Sequence, residues 1–355
     1  MAYLAALTLK NNEKELILKT IVLGDLNSLL GISQPSKVSW LIERGINVNG
    51  VQIISLQQDL VPQVLMNYDS QVMNLLQKFP FLERISVALL CWPKIRSAGG
   101  HEITAAASTF LTEDLFFYAL GICQALKRAN KKTGVRVDIS YHPMLTWPTA
   151  DLLSIDPIWH QQFLWNWETR SREAFIELLD FYIGSSVGIA IENEPVTSDQ
   201  WGNLTHSGNR LFSEQVYGLP PGWGVTADLQ HCGMMLECLN QDISLYFPPF
   251  VESGSSDPGL WNWEGQIRSL QGVSRYITFH FAQVGNPVKH VKSRIDFTDT
   301  KLMDWPLILR LIKSLGKTKG GNVWCAIEED GGHLYPEGYQ KDLEAYLYLQ
   351  ECFGR

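Results

Sequence analysis

The sequence predicts an α/β fold, a single (β/α)8 TIM barrel with parallel strands and inserted βα loops. Short β-rich apolar runs alternate with amphipathic stretches of helical length, and eight such runs can be counted along the 355 residues. Alternation of strands and helices favours a parallel sheet, and eight strands close such a sheet into a barrel. Composition does not change abruptly anywhere in the chain. We therefore expect one domain over residues 1–355.

The predicted strands are spread evenly over the chain, at 16–23, 50–56, 84–91, 134–141, 187–192, 223–228, 275–281 and 322–328. The first strand has alternatives within residues 1–35. The opening MAYLAALTL could be the first barrel strand with 16–23 beside it, or the two segments could form an N-terminal hairpin. Apolar residues at helical spacing predict helices between the strands, at 36–45, 70–79, 113–132, 171–184, 212–218, 232–241, 303–317 and 339–352.

Composition and charge exclude several classes of function. The net charge is −8 without a run of Lys or Arg, so we expect no binding to nucleic acid or to an anionic membrane. Six cysteines without a CxxC pair predict reduced and mostly buried thiols. The N-terminus lacks the pattern of a signal peptide, and no apolar run could span a bilayer. These features predict a cytoplasmic enzyme.

Four of the predicted strands end on residues that can bind a metal. They are Glu192 in VGIAIENEP, Asp228 in WGVTADLQHCG, His280 in RYITFHFAQ and Glu328 in NVWCAIEEDGG. The carboxyl ends of parallel strands meet at one edge of a barrel, so these side chains should converge. Taken alone, Asp228 could cap a helix and His280 could be a core histidine. Their joint occurrence at the same end of successive strands favours a functional site.

The order Glu, Asp, His, Glu resembles that of the xylose isomerase-like TIM-barrel superfamily. This superfamily holds sugar and sugar-phosphate isomerases and epimerases, inosose dehydratases and an apurinic endonuclease branch. In it, residues closing strands five to eight surround one divalent metal, and a His follows the Asp by three residues. The resemblance implies that Glu192, Asp228, His280 and Glu328 hold the metal, with His231 of ADLQH beside them.

The donor types of these residues suit a definite chemistry. Three carboxylates and one imidazole fit Mn²⁺, Mg²⁺, Co²⁺ or Zn²⁺, and such an ion polarises a carbonyl. Glu192 and Glu328 could then move a proton at the neighbouring carbon, while His231 donates a hydrogen bond to a substrate oxygen. We expect an isomerase or epimerase acting on a sugar, sugar phosphate or related polyol. A dehydratase or hydrolase on the same scaffold and a barrel that only binds remain alternatives.

The sequence departs from the endonuclease branch of the superfamily. His142 stands where that branch has a His closing strand four, but Cys91 and Trp92 replace the His of strand three. The Asp-x-His pair that follows strand seven in that branch is also missing. A three-zinc cluster is therefore not expected. His142 and Trp92 are instead candidates for contact with the substrate, and packing under a loop is the alternative for His142.

The sequence also departs from the keto-sugar epimerases. Those enzymes carry an Arg six residues beyond the His of strand seven and a second Glu six residues beyond the Glu of strand five. Asn286 and Ser198 stand at these positions here. Lys289 or Arg294 could replace the missing Arg, and Lys289 is the candidate we favour. These differences bear on the identity of the substrate more than on the class of reaction.

Tryptophans crowd the predicted loops at the same end of the barrel, and the string LWNWE occurs twice, at 164–168 and 260–264. Indole rings stack on the C–H faces of sugars, but they also pack loops together or bury an interface between copies of a chain. The sequence leaves both roles open for this set of tryptophans. A homo-oligomer is therefore also possible. The set comprises Trp92, Trp147, Trp159, Trp165, Trp167, Trp201, Trp261 and Trp263.

Overall fold

The computed structural model of the chain is a barrel of eight parallel strands. It describes residues 16–55, 62–89, 94–96, 102–104, 113–141, 147–148, 186–193, 205–206, 211–216, 219–240, 258–284, 294–301, 303–328 and 334–354. The barrel strands are β1 Ile17–Gly24, β2 Val48–Ser55, β3 Arg84–Leu89, β4 Arg136–Tyr141, β5 Gly188–Glu192, β6 Gly224–Asp228, β7 Ile277–Phe281 and β8 Asn322–Ile327. Each strand pairs with the next in the chain, and β8 pairs with β1 to close the ring. The predicted (β/α)8 TIM barrel is confirmed.

Strand β1 settles the alternatives for the start of the barrel. It pairs with β2 on one side, where Ile21 lies opposite Gly50, and with β8 on the other side, where Thr20 lies opposite Cys325. Both edges of β1 are therefore occupied by barrel strands. Ile17–Gly24 is therefore the first strand of the closed barrel, as the predicted strand at 16–23 implied, and the structural role of MAYLAALTL stays a prediction. Residues 1–15 lie outside the described part of the chain.

The described helices are α1 Leu26–Leu30, α2 Lys37–Ile42, α3 Pro62–Lys78, α4 Glu113–Thr133, α5 Phe212–Val216, α6 Leu229–Asn240, α7 Trp263–Ser269, α8 Trp305–Thr318 and α9 Glu337–Phe353. Seven of them coincide with predicted helices, whereas α1 and α7 were not predicted. The predicted helix at 171–184 lies outside the described residues. No helix in the described ranges is long and apolar enough to cross a membrane.

Inserted segments follow three of the strands, as the sequence predicted. Lys94–Arg96 pairs with Glu102–Thr104 after β3, and Trp147–Pro148, after β4, pairs with Thr205–His206, after β5. Both pairs are antiparallel, and each lies between the carboxyl end of a barrel strand and the following helix. They therefore add structure at the end of the barrel where α/β barrels build their sites.

Two different environments line the two faces of the strands. The outward-facing residues of the strands are apolar and pack against the helices in one large core. The inner face carries polar groups instead. Arg84 on β3 makes two hydrogen bonds to Asp138 on β4, of 2.6 and 2.8 Å, and a third of 2.8 Å to Thr278 on β7. Because β3 and β7 are not neighbours, this last contact crosses the barrel interior.

This buried polar group closes the barrel near the amino ends of its strands. The guanidinium of Arg84 lies 4.4 Å from the ring centroid of Tyr276. The ring of Tyr276 can pack here only because residue 224 is a glycine. A Cβ on Gly224 would lie 2.7–2.9 Å from three atoms of the ring. The interior is consequently a packed and charged layer at the end where the strands begin.

Helix α9 secures the seam where the barrel closes. The hydroxyl of Tyr346 donates to the carbonyl of Ile21 on β1 at 2.6 Å and accepts from the amide of Ile327 on β8 at 3.2 Å. One buried side chain thus bridges the first and last strands. Such a bridge satisfies two backbone groups that burial would otherwise leave without partners.

The cysteines agree with the prediction where they are described. Cys123, Cys232 and Cys325 are buried free thiols, and Cys352 is half-buried. Burial raises the pKa of Cys123 to about 12, which keeps this thiol protonated and unreactive.

Candidate metal centre

The four predicted metal ligands lie together at the carboxyl ends of β5 to β8. Glu192 and Asp228 are the last residues of β5 and β6, His280 is the penultimate residue of β7, and Glu328 directly follows β8. Asp228 lies opposite His280 in the pairing of β6 with β7. Each of the four side chains offers one ligand atom, and these atoms all lie within 4.8 Å of one another.

His280 is the centre of the cluster. Its Nδ1 lies 3.1 Å from Glu192 Oε1 and 2.7 Å from Glu328 Oε2. Its Nε2 lies 2.8 Å from Gln52 Oε1, which can only accept, so Nε2 carries a hydrogen. Burial alone would lower the pKa of His280, but the charges of Glu192 and Glu328 outweigh it and raise the pKa well above the usual value. A divalent ion would replace the proton that Nδ1 holds between these carboxylates.

Glu192 and Glu328 differ in how firmly they are held. Ser140 on β4 donates to Glu192 Oε2 at 3.1 Å, and the same hydroxyl lies 2.7 Å from Thr226 Oγ1. The side chain of Glu192 is 2% exposed, while that of Glu328 is 24% exposed. Glu192 is therefore the fixed carboxylate of the pair, and Glu328 is the one that solvent or a substrate can reach.

Asn193 joins the ends of β5 and β6. Its side-chain oxygen accepts from the amide of Asp228 at 2.7 Å, and its side-chain nitrogen donates to the carbonyl of Asp228 at 3.0 Å. The backbone carbonyl of Asn193 lies 2.6 Å from Nδ1 of His231. This single residue thus positions both the carboxylate of Asp228 and the imidazole of His231, which stands in the first turn of α6.

One carboxylate oxygen of Asp228 has no hydrogen bond from the part of the chain that the structure describes. Its Oδ1 accepts from the amide of His231 at 2.9 Å. Its Oδ2 is buried and has no hydrogen-bond partner among the described residues, with His231 Nε2 3.5 Å away. Burial raises the pKa of Asp228 well above its usual value, and the charges of Glu328 and Glu192 raise it further against the opposing effect of His280.

These observations fit a divalent cation. Three carboxylates share the cluster with one imidazole, and even a protonated His280 leaves an excess of negative charge. Two carboxylates about 5 Å apart repel each other by about 3 kcal/mol at the effective dielectric constant of protein sites. A buried carboxylate oxygen without a partner is costly unless a cation binds it. The donor set of oxygen ligands and one nitrogen suits Mn²⁺, Mg²⁺, Co²⁺ or Zn²⁺.

The remaining site predictions have different outcomes. His142, Trp92 and Lys289 lie outside the described residues, so their roles in substrate contact stay predictions. Arg294, the alternative to Lys289, forms an ion pair with Glu344 of α9. This pairing places the guanidinium on the helical layer of the barrel.

The predicted position of Trp263 in a loop at the active end is wrong. Trp263 is the first residue of α7, and its side chain is 8% exposed. It packs beside Gly233 of α6, where an added Cβ would lie 3.2 Å from the indole ring. The side chain of Asn262 caps the helix by accepting from the amide of Gly265. The string WNWEG is therefore a helix start, in which the Asn supplies the cap and the second Trp supplies packing.

Sequence reasoning missed three residues that hold the cluster in place, namely Gln52, Ser140 and Asn193. A signal was present for two of them. Gln52 interrupts the apolar run of β2, and Ser140 interrupts that of β4, so each marks a polar side chain on the inner face of a buried strand. For Asn193 the only signal is its place directly after Glu192. None of the three signals shows which residue of the cluster the side chain contacts.

Comparison with known proteins gives a likeness in fold to solved structures. No protein-family model matches the sequence. A search of curated proteins finds no match either. Among solved structures, the chain is similar to the probable 3-DHS dehydratase AsbF from Bacillus anthracis, whose structure is described as that of an enzyme involved in petrobactin synthesis. The two chains are 13% identical, the alignment covers 94% of this chain and 99% of the other, and the TM-score is 0.49.

The assignment of the fold rests on the strand pairing of this chain itself. A closed ring of eight parallel strands carries the Glu, Asp, His and Glu at the ends of strands five to eight. The resemblance to the xylose isomerase-like TIM-barrel superfamily thus extends from four residues of the sequence to the barrel that positions them.

Proposed function

We propose that the protein is a divalent-metal-dependent isomerase or epimerase that acts on a sugar, a sugar phosphate or a related polyol. One observation supports it above all others. Glu192, Asp228, His280 and Glu328 offer four ligand atoms within 4.8 Å of one another at the carboxyl end of a parallel barrel. An ion held there would have protein ligands on one side only and would be open to substrate oxygens on the other.

The two glutamates supply the proton transfer in this proposal. A bound cation would polarise a substrate carbonyl and so acidify the neighbouring C–H bond. Glu328 is the more exposed carboxylate and would remove the proton from that carbon. Glu192, held by Ser140, would deliver a proton to the opposite face of the same carbon, which inverts it. Return of the first proton to the adjacent carbon would isomerise the sugar instead.

His231 would bind a substrate oxygen in this proposal. Because its Nδ1 lies 2.6 Å from the carbonyl of Asn193, Nδ1 carries a hydrogen and Nε2 is the nitrogen left for the substrate. Nε2 accepts a hydrogen bond when the ring is neutral and donates one when the ring is protonated. The donor role that we propose for His231 needs the protonated ring, whose Nε2 lies 3.5 Å from Oδ2 of Asp228.

Deuterium exchange tests this function directly. The metal-loaded protein, incubated in D2O with a panel of pentoses, hexoses, their phosphates and inosose, should place deuterium on the carbon beside the carbonyl. Glu192→Gln and Glu328→Gln should each abolish this exchange, because an amide cannot carry the proton. Glu337→Gln, an exposed change at the start of α9, is the matched control and should exchange like the wild type. Mass spectrometry and NMR measure the exchange.

Metal occupancy has to be measured in every variant, because the glutamates also serve as ligands. Loss of exchange at unchanged occupancy supports the proton-transfer roles. Exchange followed by loss of water from the same substrate would identify a dehydratase. No exchange with any substrate of the panel, with metal fully bound, would contradict the isomerase and leave a hydrolase or a binding protein.

A further inference from the structure

A second concave site lies at the opposite end of the barrel from the metal centre. It is a cavity of about 130 Å³, formed where β4, β7 and β8 begin and where α8 ends. Its polar lining consists of Arg136, Arg275, Lys319, Tyr276 and Asn322, with Trp324 beside them. The other lining residues are apolar or glycine, and none is acidic. The charged residues that line this cavity are thus all cations, in a protein whose net charge is −8.

The three cations of this cavity have no carboxylate partner among the described residues. Arg136 stacks on Tyr276, with the guanidinium 4.2 Å from the ring centroid. Arg275 lies 5.9 Å from the same centroid and donates to the carbonyl of Gly222 at 2.9 Å. Lys319 donates to the carbonyls of Gln271 and Val273 at 2.6 and 2.5 Å. Their positive charges are therefore concentrated around one opening.

The nearest buried carboxylate is already used. Asp138 makes two hydrogen bonds with Arg84, whose guanidinium lies 4.4 Å from the ring centroid of Tyr276. Asp138 is therefore the hydrogen-bonded partner of Arg84, and it acts on Arg136 only through its charge. Burial lowers the pKa of Arg136, and the charges of Arg84 and Arg275 lower it further against the opposing effects of Tyr276 and Asp138. The guanidinium of Arg136 thus lies near two other cations and would gain from a nearby anion.

We propose that this cavity binds a small oxyanion of the phosphate or sulfate type. The guanidinium groups of Arg136 and Arg275 present paired N–H donors, which match the oxygens of a tetrahedral anion, and Lys319 adds a third positive charge. Stacking on Tyr276 holds the plane of Arg136 in place before an anion arrives. The site is separate from the metal centre, because it lies where strands of the barrel begin, whereas the four candidate ligands lie where strands end.

Titration calorimetry with inorganic phosphate tests the site in the metal-loaded protein. Phosphate should bind with a stoichiometry near one, and its affinity should fall as the salt concentration rises. Arg136→Gln and Arg275→Gln should each weaken binding by about tenfold, the loss of one charge-assisted interaction. Arg310→Gln, an exposed change of the same charge on α8, is the control and should bind like the wild type. Lys319 is left unchanged because it also bonds two backbone carbonyls.

A second titration distinguishes a site for the free phosphate ion from a site that also accepts a phosphate monoester. Glycerol phosphate carries the same tetrahedral group on a larger molecule. Equal affinity for both probes indicates an opening that admits a phosphate monoester, and binding of inorganic phosphate alone indicates a site for the free ion. Thermal unfolding of each variant shows whether it is folded, and Arg275, which is exposed, keeps the test valid if Arg136→Gln fails to fold. Phosphate binding that survives both arginine changes, or that is absent from the wild type, would overturn the proposal.

Discussion

At the scale of single residues, the contact between Gln52 and His280 orients a side chain of the candidate metal centre. Gln52 Oε1 accepts from His280 Nε2 at 2.8 Å, across the barrel from β2 to β7. This bond fixes the hydrogen on Nε2 and leaves Nδ1 to face Glu192 and Glu328. Histidines that ligate metals commonly donate their second N–H in this way, which orients the ring and selects its tautomer.

Replacing Gln52 should therefore weaken metal binding without removing a ligand. Gln52→Leu should lower the affinity for a divalent metal by about 10- to 100-fold, the range found when such outer partners are lost. Gln52→Glu restores an acceptor and should recover part of the affinity. Competition with a chelating dye measures the affinity directly, without need of a substrate.

Two further variants serve as controls for this measurement of metal affinity. His280→Ala removes a ligand and should lose the metal altogether, as elemental analysis would show. Ser86→Ala changes another buried polar residue of the neighbouring strand β3 and should keep the metal. If Gln52→Leu binds metal as tightly as the wild type, the hydrogen bond to His280 does not position the ligand.

At the scale of secondary-structure elements, a buried ion pair joins α2 to α9. Lys37 Nζ lies 2.5 Å from Asp342 Oδ2, and the two side chains are 1% and 0% exposed. The same ammonium donates to the carbonyl of Leu23 on β1 at 2.9 Å. One cation thus holds together the first strand and two helices that are 300 residues apart in the sequence.

Removing one member of this ion pair should destabilise the protein, whereas replacing both members with apolar residues should change its stability little. Lys37→Met or Asp342→Leu alone should lower the free energy of unfolding by about 3–5 kcal/mol, because a buried charge remains without its partner. The double variant should be close to the wild type, since apolar side chains of similar volume remove both charges. Denaturant unfolding gives the free energy of unfolding of the wild type, the two single variants and the double variant.

An exposed pair provides the comparison. Arg268 and Glu264 on α7 form an ion pair with both side chains more than half exposed. Arg268→Met should cost less than about 1 kcal/mol. Additive effects of Lys37→Met and Asp342→Leu would show that the buried pair does not act as a unit.

Asp342 of the same pair should make the free energy of unfolding fall as the pH rises. Burial raises the pKa of Asp342 from 3.8 to about 6, although Lys37 opposes this shift. Between these values the folded protein keeps a proton that the unfolded chain releases. The contribution of Asp342 to stability is therefore full below pH 3.8 and falls by about 3 kcal/mol as the pH rises to about 6.

The double variant should lack this component of the pH dependence. Unfolding free energies measured from pH 4 to 7 should fall less steeply with rising pH in Lys37→Met/Asp342→Leu than in the wild type. Parallel curves for the two proteins would show that Asp342 does not titrate in this range.

At the scale of the whole molecule, the charge distribution argues against nucleic acid as a partner. The net charge is −8, and three of the described cations, Arg136, Arg275 and Lys319, line one small cavity. Binding to phosphate backbones requires several cations spread along a surface. The protein should neither bind nor cut DNA containing an abasic site at physiological salt. A gel-shift and nicking assay with added metal checks this, and efficient metal-dependent incision would instead favour the endonuclease branch of the superfamily.

Much of the barrel and the four converging side chains could be predicted from the sequence. Strands of four to eight apolar residues show themselves locally, and in a parallel barrel all strands end at the same side. A Glu, Asp, His and Glu at four successive strand ends must therefore meet, whatever the details of packing. For the same local reason the helices α3, α4, α8 and α9 were predicted, with errors confined to their boundaries.

Other features depended on contacts between distant parts of the chain. Local patterns could not show that β8 occupies the free edge of β1, that Gln52 reaches His280 across the barrel, or that Lys37 finds Asp342. They also placed Trp263 in a loop, because a helix cap followed by an indole looks the same in sequence as a polar loop. Strand and helix periodicity depends on neighbours along the chain, so the sequence by itself determined the elements and the chemistry at their ends. The partners of buried polar groups depend on which surfaces meet, and only the tertiary structure decided them.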